Sequence, residues 1–282
     1  MGRKKTTTRT AFGVLGRPLV CSYGGGRNSC AGLVGLKRHG VIPDRIQFSD
    51  TGTENAEKPE TYDHIRLMSE WCQDNGFPPI TVVRVATNVN AIDKSLEAHC
   101  LRTGYLPSIA YGFKRCSQRW KADPQHSDLT RWAPAVDAWK HGKKVTRAIF
   151  YDAGEPHRAE GLLSKPDEKL AWWFPLLEWG WDLERCLAEI ETEGIPKPPK
   201  SACFFCPSSR KVEVLALAHE HPDLFTRAVA MEHGARANST AVKGLGRHWS
   251  WEEIVQADRS QLDLFPDASQ IPCMCFDGDD EE

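Results

Sequence analysis

The sequence predicts an α/β fold: a Rossmann-like parallel sheet wrapped by helices. Three observations carry this. Short apolar runs alternate with segments of helical periodicity through the first half of the chain. The run Ile80-Thr81-Val82-Val83-Arg84-Val85 is almost continuously β-branched, as expected of a buried strand in a parallel sheet. The first run passes into its helix through consecutive glycines, the arrangement of a strand–turn–helix unit at the edge of such a sheet.

Taken in order, residues 18–23 read as the first strand and 29–39 as the first helix, whose apolar face includes Leu33 and Leu36. Residues 45–50 form the second strand. A helix over 60–75 follows, with Ile65, Met68 and Trp71 on one face, and Gly76-Phe77-Pro78-Pro79 stops it. Residues 80–85 are the third strand, 90–99 a helix and 146–151 a further strand. Trp172-Trp173-Phe174-Pro175-Leu176-Leu177 then concentrates aromatic and apolar residues in a core segment that also takes in Trp181. Asp182 reads as the N-cap of a helix ended by Gly194. Pro196-Lys197-Pro198-Pro199-Lys200 is a stiff linker, and helical stretches follow over 211–219 and 222–231. The expected organisation is a disordered basic tail over 1–16, an α/β domain over 17–195, and a helical C-terminal region over 196–282 ending in an acidic tail.

A chain of 282 residues, 40% hydrophobic, can bury the core of one large domain with a smaller module. The net charge of −2 gives no overall attraction for nucleic acid. No run has the length of a membrane span, and no secretory apolar core follows the basic start, so a soluble, cytoplasmic protein is expected. Ten cysteines in such a chain argue against a disulfide framework. Cys21, Cys30, Cys72 and Cys186 stand in apolar or helical contexts and read as small core residues.

The chemistry concentrates in Ser22-Tyr23-Gly24-Gly25-Gly26-Arg27-Asn28-Ser29. Glycines let the backbone turn tightly and approach a ligand, and the following helix offers unpaired N–H groups and the positive end of its dipole. Together these make an anion site suited to phosphate; a strained turn is the structural alternative. The loop is neither a Walker A sequence nor G-x-G-x-x-G. After the second strand comes Asp50-Thr51-Gly52, then Pro59-Glu60-Thr61, on the sheet edge where open α/β folds bind ligands. Beyond the strand at 146–151, Asp152, Glu155 and Arg158 follow closely, and a guanidinium there suits bidentate phosphate contact. Cys203-Phe204-Phe205-Cys206 has the spacing that lets two thiolates reach one metal, with Cys116, Cys100, Cys273 and Cys275 as further thiols.

These motifs together resemble the phosphoadenosine-phosphosulfate reductase-like family of the PP-loop adenine nucleotide alpha-hydrolase superfamily. The resemblance covers roughly residues 17–280. It implies a PP-loop enzyme binding ATP or a related adenine nucleotide through Ser22, Gly24, Gly25, Gly26, Arg27, Asn28, Ser29, Asp50, Thr51, Gly52 and Arg158. Ser29, Asp50 and Lys121 would carry the chemistry, either cleavage at the alpha-phosphate or sulfur transfer or reduction. It also implies a 4Fe–4S cluster on Cys116, Cys203, Cys206 and Cys275, with Cys273 or Cys100 as alternative fourth ligands, and structural zinc uses the same spacing. Two departures stand out. Asn28 replaces the family's usual Asp, and the tail lacks the Glu-Cys-Gly-x-His segment of true sulfonucleotide reductases.

An alternative reading is a nucleic-acid-acting module, as in DNA modification or phage defence. Arg115, Arg119, Lys121 and Arg131 lie near Trp120 and Trp132, and basic residues with aromatic faces can track a backbone and stack on bases. A homodimer is left open.

Overall fold

A computed structural model describes residues 18–85, 91–113, 115–164, 167–238 and 241–264, with side chains up to Ser260. The basic segment 1–16 and the end of the chain, with Cys273 and Cys275, lie outside the described residues. The described chain forms two compact units, one of residues 18–99 and 113–204, the other of 100–112 and 205–264. The chain crosses between them inside Cys203-Phe204-Phe205-Cys206, so the two cysteines of that motif belong to different units.

In the first unit, β1 (Leu19–Tyr23), α1 (Arg27–Arg38), β2 (Arg45–Ser49), α2 (Pro59–Asp74) and β3 (Ile80–Val83) follow one another, and α3 (Leu96–Thr103) begins at its end. A helical segment then runs through a π-helical turn, Gln118–Ala122, into α4 (Asp123–Leu129). After it come α5 (Ala133–Lys140), β4 (Val145–Ile149), α6 (Pro156–Leu163), β5 (Leu170–Trp173), α7 (Pro175–Glu178) and α8 (Leu183–Thr192). All strand pairs are parallel, in the order β3-β2-β1-β4-β5. The fold is therefore α/β with a Rossmann-like parallel sheet. Strand order reverses between β1 and β4, which makes the carboxyl ends of these two strands the crevice of the sheet.

Register fixes what each face carries. Leu19, Cys21, Tyr23, Ile46, Phe48 and Ala148 share one face and pack with Leu33 of α1, Ile65 and Met68 of α2, and Cys186 and Ile190 of α8. The opposite face packs Val20, Val145 and Leu170 against Leu129, Ala135 and Ala138 of α4 and α5. Its remaining positions are polar and meet the segment that leads into α4. Arg45 pairs bidentately with Asp128 at 2.7 and 2.9 Å. Gln47 Nε2 donates to Asp128 Oδ2 at 2.6 Å and to the Gln125 carbonyl at 3.1 Å, and Ser49 Oγ donates to the Lys121 carbonyl at 2.9 Å.

Several expectations are corrected. The third strand is an edge strand and not a buried one: it pairs with β2 alone, and Val82 is 37% exposed. The helix expected over 90–99 begins at Leu96, and residues 86–90 are not described. Trp172 and Trp173 lie in a fifth strand, half-buried against the two cores, while Trp181 is buried as expected. Asp182 caps α8 by accepting from the Arg185 amide at 2.8 Å, and Gly194 beyond it takes a φ of +73°.

In the second unit, α9 (Lys211–Glu220) packs with α10 (Pro222–Ala235) and α11 (Trp251–Leu264). Glu232 of α10, 2% exposed, accepts from the amides of Leu245 and Trp251 at 2.7 and 3.0 Å and from Ser250 Oγ at 2.8 Å. One buried carboxylate thus fixes the loop before α11 and the start of that helix. Among the described residues no helix is long and apolar enough to cross a membrane.

Helix α1 lies unusually close to its neighbours. A Cβ on Gly32 would stand 2.0 Å from the buried Phe150 ring, and one on Gly35 would stand 2.2 Å from Trp179. Gly32→Ala is expected to destabilise the protein by about 1–3 kcal/mol through overpacking. Urea denaturation should show a lower midpoint with an unchanged m-value.

Candidate nucleotide site

The turn after β1 builds the site. Gly25 adopts a φ of +75°, and a side chain there would meet Ser201 and Phe48 at 3.1 and 3.3 Å. Gly26 is the N-cap of α1, and the Ser29 hydroxyl folds back on it, accepting from its N–H at 3.2 Å and donating to its carbonyl at 3.0 Å. The first turn of α1 holds no acidic residue. The N–H groups of such a turn have no intrahelical acceptor, so the helix presents a positive end to whatever lies before it.

A cavity of about 640 Å³ opens there. It is lined by Ser22, Gly24, Gly26, Arg27, Asn28 and Ser29 from the β1–α1 turn, by residues 149–152, Gly154, Glu155 and Arg158 after β4, and by Leu183 and residues 199–201. The cavity thus sits at the switch point where strand order reverses. Asn28 Nδ2 donates to Asp152 Oδ2 at 2.7 Å, and the other oxygen of Asp152 accepts from the Gly154 amide at 2.9 Å. Arg158 lies over the Tyr151 ring at 4.2 Å and pairs with Glu155 at 2.6 Å.

The structure brings together Ser22, Gly24, Gly25, Gly26, Arg27, Asn28, Ser29 and Arg158 of the residues expected at the nucleotide. Asp50, Thr51, Gly52 and Lys121 do not line the cavity. They belong to a second polar centre at the end of β2. The buried Asp50 carboxylate accepts from the Gly52 and Glu54 amides at 2.9 and 2.8 Å, from Tyr62 Oη at 3.0 Å and from Arg84 Nε at 2.8 Å. Both of its oxygens are engaged in holding the loop into α2. Thr51 Oγ1 lies 3.0 Å from Cys203 Sγ. Lys121 Nζ stands 3.8 Å from Glu57 Oε1.

Sequence reasoning missed Glu57. It is 2% exposed, and Ser201, which lines the cavity, donates to it at 2.6 Å. Burial raises its carboxyl above the usual range, against the lowering effect of Lys121 and the Ser201 bond. Glu57 stands among charged residues just before α2, where a carboxylate reads as a solvated helix-start residue. Sequence reasoning also missed Arg147 and Gln125, which meet Ser22 from below: Ser22 Oγ donates to Gln125 Oε1 at 2.9 Å and accepts from Arg147 Nη1 at 3.2 Å. The signal was a lone arginine inside the apolar strand Val145-Thr146-Arg147-Ala148-Ile149.

The cysteine expectation fares differently. Among the described residues, no group of three or more His, Cys, Asp and Glu side chains could hold a metal ion. Cys116, Cys203 and Cys206 are half-buried thiols, and Cys275 lies outside the described residues. Cys21, Cys30, Cys72 and Cys186 are fully buried core thiols, and burial raises all four, Cys72 and Cys186 to about 12. Trp120, offered as a base-stacking surface, is 2% exposed, and Trp132 packs against the core with Arg45 over its ring at 5.7 Å.

No family model matches the sequence, and no curated protein matches it. Among solved structures the chain is similar to the U34-tRNA thiolase NcsA from Methanococcus maripaludis with its 4Fe–4S cluster. The TM-score is 0.40 at 14% identity, covering 86% of this chain and 80% of that one. Likeness at that level speaks to neither family nor site.

Glu57 yields a test of the second centre. A carboxyl whose folded pKa is raised favours the folded state at low pH and opposes it as pH rises above the unfolded value of 4.5. Glu57→Gln is therefore expected to raise stability at pH 7 more than at pH 4, as read from denaturation midpoints at both values. An equal effect at the two pH values would contradict this.

Proposed function

We propose that this chain is an adenine-nucleotide-binding PP-loop enzyme of the sulfonucleotide-reductase-like type, acting by alpha-phosphate cleavage or by sulfur transfer or reduction. One observation carries the reading. The glycine turn, the start of α1 and the polar end of β4 meet around one cavity at the switch point of a parallel sheet. A cavity of about 640 Å³ falls in the size range of small-ligand sites. Arg27, Arg158 and Lys200 supply cationic side chains to its lining, and the helix start supplies backbone donors for phosphate oxygens. Developing negative charge on a phosphoryl group would meet donors already fixed by the fold.

Among the described residues no group of three or more His, Cys, Asp and Glu side chains could hold a metal ion, and no step is routed through a cluster. A thiol does stand close in the chain to the cavity: Cys203 lies two residues beyond Ser201, on the segment whose Ser201 and Cys203 contact Glu57 and Thr51.

The test is nucleotide binding by calorimetry, with wild type and Ser29→Ala compared. Loss of the hydroxyl frees the Gly26 amide from its bond and loosens the turn. Such a capping loss costs about 1 kcal/mol of stability. ATP affinity is expected to fall about tenfold, the counterpart of a contact of that order. A wild-type protein that binds no adenine nucleotide would overturn the proposal.

A further inference from the structure

We propose that Arg147 is the positioning residue of the cavity floor: it fixes the Ser22 hydroxyl together with Gln125 and sets an unneutralised positive charge behind it, so that the site selects the phosphates of its ligand over the nucleoside. The inference rests on the nucleotide reading and deepens it.

Arg147 is 5% exposed on β4, one position along the same sheet face from Ile149, which lines the cavity with Ser22. Its Nη1 donates to Ser22 Oγ at 3.2 Å and to Gln125 Oε1. Its Nε and Nη2 are buried and have no hydrogen-bond partner. Among the described residues no carboxylate bonds to it. Asp128 and Asp167 act on it only through their fields. Asp128 is committed to Arg45 and Gln47, and Asp167 to the amides of Lys169 and Leu170. Burial lowers the guanidinium to about 10, which leaves it charged at neutral pH.

Buried charges in proteins are ordinarily paired, because an isolated one loses its hydration without return. A neutral donor would suffice to bridge Ser22 and Gln125. The guanidinium adds a full charge in a region of low dielectric, where its field reaches the cavity with little screening. It also adds to the positive end of α1, which opens on the same space. Ser22 donates to Gln125 and accepts from Arg147, so its hydroxyl is held in one orientation at the floor. An anion in the cavity would supply through space the countercharge that Arg147 lacks among the described residues.

Gln125→Glu is the decisive variant. It keeps the shape and both bonds of Gln125 but sets a carboxylate against Arg147, so the guanidinium is neutralised where it stands. The variant is expected to melt at or above the wild-type temperature. Its affinity for ATP and for inorganic pyrophosphate should fall at least about tenfold, while its affinity for adenosine stays unchanged. Arg147→Gln removes the charge from the other side and should show the same split; it carries the test if Gln125→Glu does not fold. A folded variant that binds ATP as wild type does, or that loses ATP and adenosine equally, overturns the role of Arg147 and leaves the nucleotide site standing. A wild-type protein that binds neither ATP nor adenosine overturns the nucleotide reading itself, and this inference with it.

Discussion

Helix α1 can approach the sheet only where it has no side chains. Gly32 faces Phe150, and Gly35 faces Trp179. Trp179 in turn stacks on His39 just beyond the helix, with ring centroids 4.4 Å apart, and meets Trp173 and Trp181 at 6.1 and 5.4 Å. An aromatic wall therefore sets the depth of the helix along its length. Depth matters because the other end of α1 lines the cavity. Phe150 also lines the cavity, so the ring that Gly32 accommodates is a wall of the site as well. The position of the backbone donors before α1 is thus a consequence of core packing, which is stiffer than any loop.

The opposite face of the sheet carries a second constraint. Arg45, Gln47, Ser49, Arg147 and Ser22 are polar groups in a buried layer, and buried polar groups must find partners. The segment around α4 supplies them through Asp128, Gln125 and the carbonyls of Gln125 and Lys121. Arg45 and Ser49 find such partners; Gln47 is left with one buried atom unpaired, Oε1, and Arg147 with two, Nε and Nη2. The layer thereby joins the floor of the cavity at β1 and β4 to the polar centre at the end of β2. A second link runs over the top through Ser201, which lines the cavity and bonds to Glu57. Residues 199–204 are consequently fixed to the first unit at Ser201, Cys203 and Phe204, whose amide donates to the Ala56 carbonyl at 2.8 Å.

Much of this was legible in the sequence because it is local. The strands at 19–23 and 45–49 follow from apolar runs, α8 follows from Asp182 and Gly194, and the turn before α1 follows from its glycines. What escaped depends on direction and distance. Leu170-Ala171-Trp172-Trp173 has no alternation to mark it as β5, and its strand character comes from pairing with β4. Asp50 and Lys121 stand in motifs that the sequence groups with the glycine turn, yet Asp50 turns into its own loop and Lys121 toward Glu57. A charged residue in a strand reads as a solvent-facing position, and only the register of β4 against β1 shows that Arg147 faces Ser22 and Gln125.

Asn28 sets the electrostatics of the turn before α1. Its amide nitrogen donates to Asp152, and a carboxylate in its place would set two acids in contact. Like charges at that separation force one of them to hold a proton. The pair Asn28–Asp152 therefore keeps one ionisable carboxylate at this contact, carried by the end of β4 and not by the start of α1. The first turn of α1 itself carries no acid, and the carboxylate it meets is that of Asp152. Asp152 is fixed from both sides, through Asn28 on one oxygen and the Gly154 amide on the other. The amide in the glycine turn and the carboxylate at the end of β4 are two halves of one hydrogen-bonded pair. The anchored carboxylate of Asp152 therefore stands directly beside the start of α1.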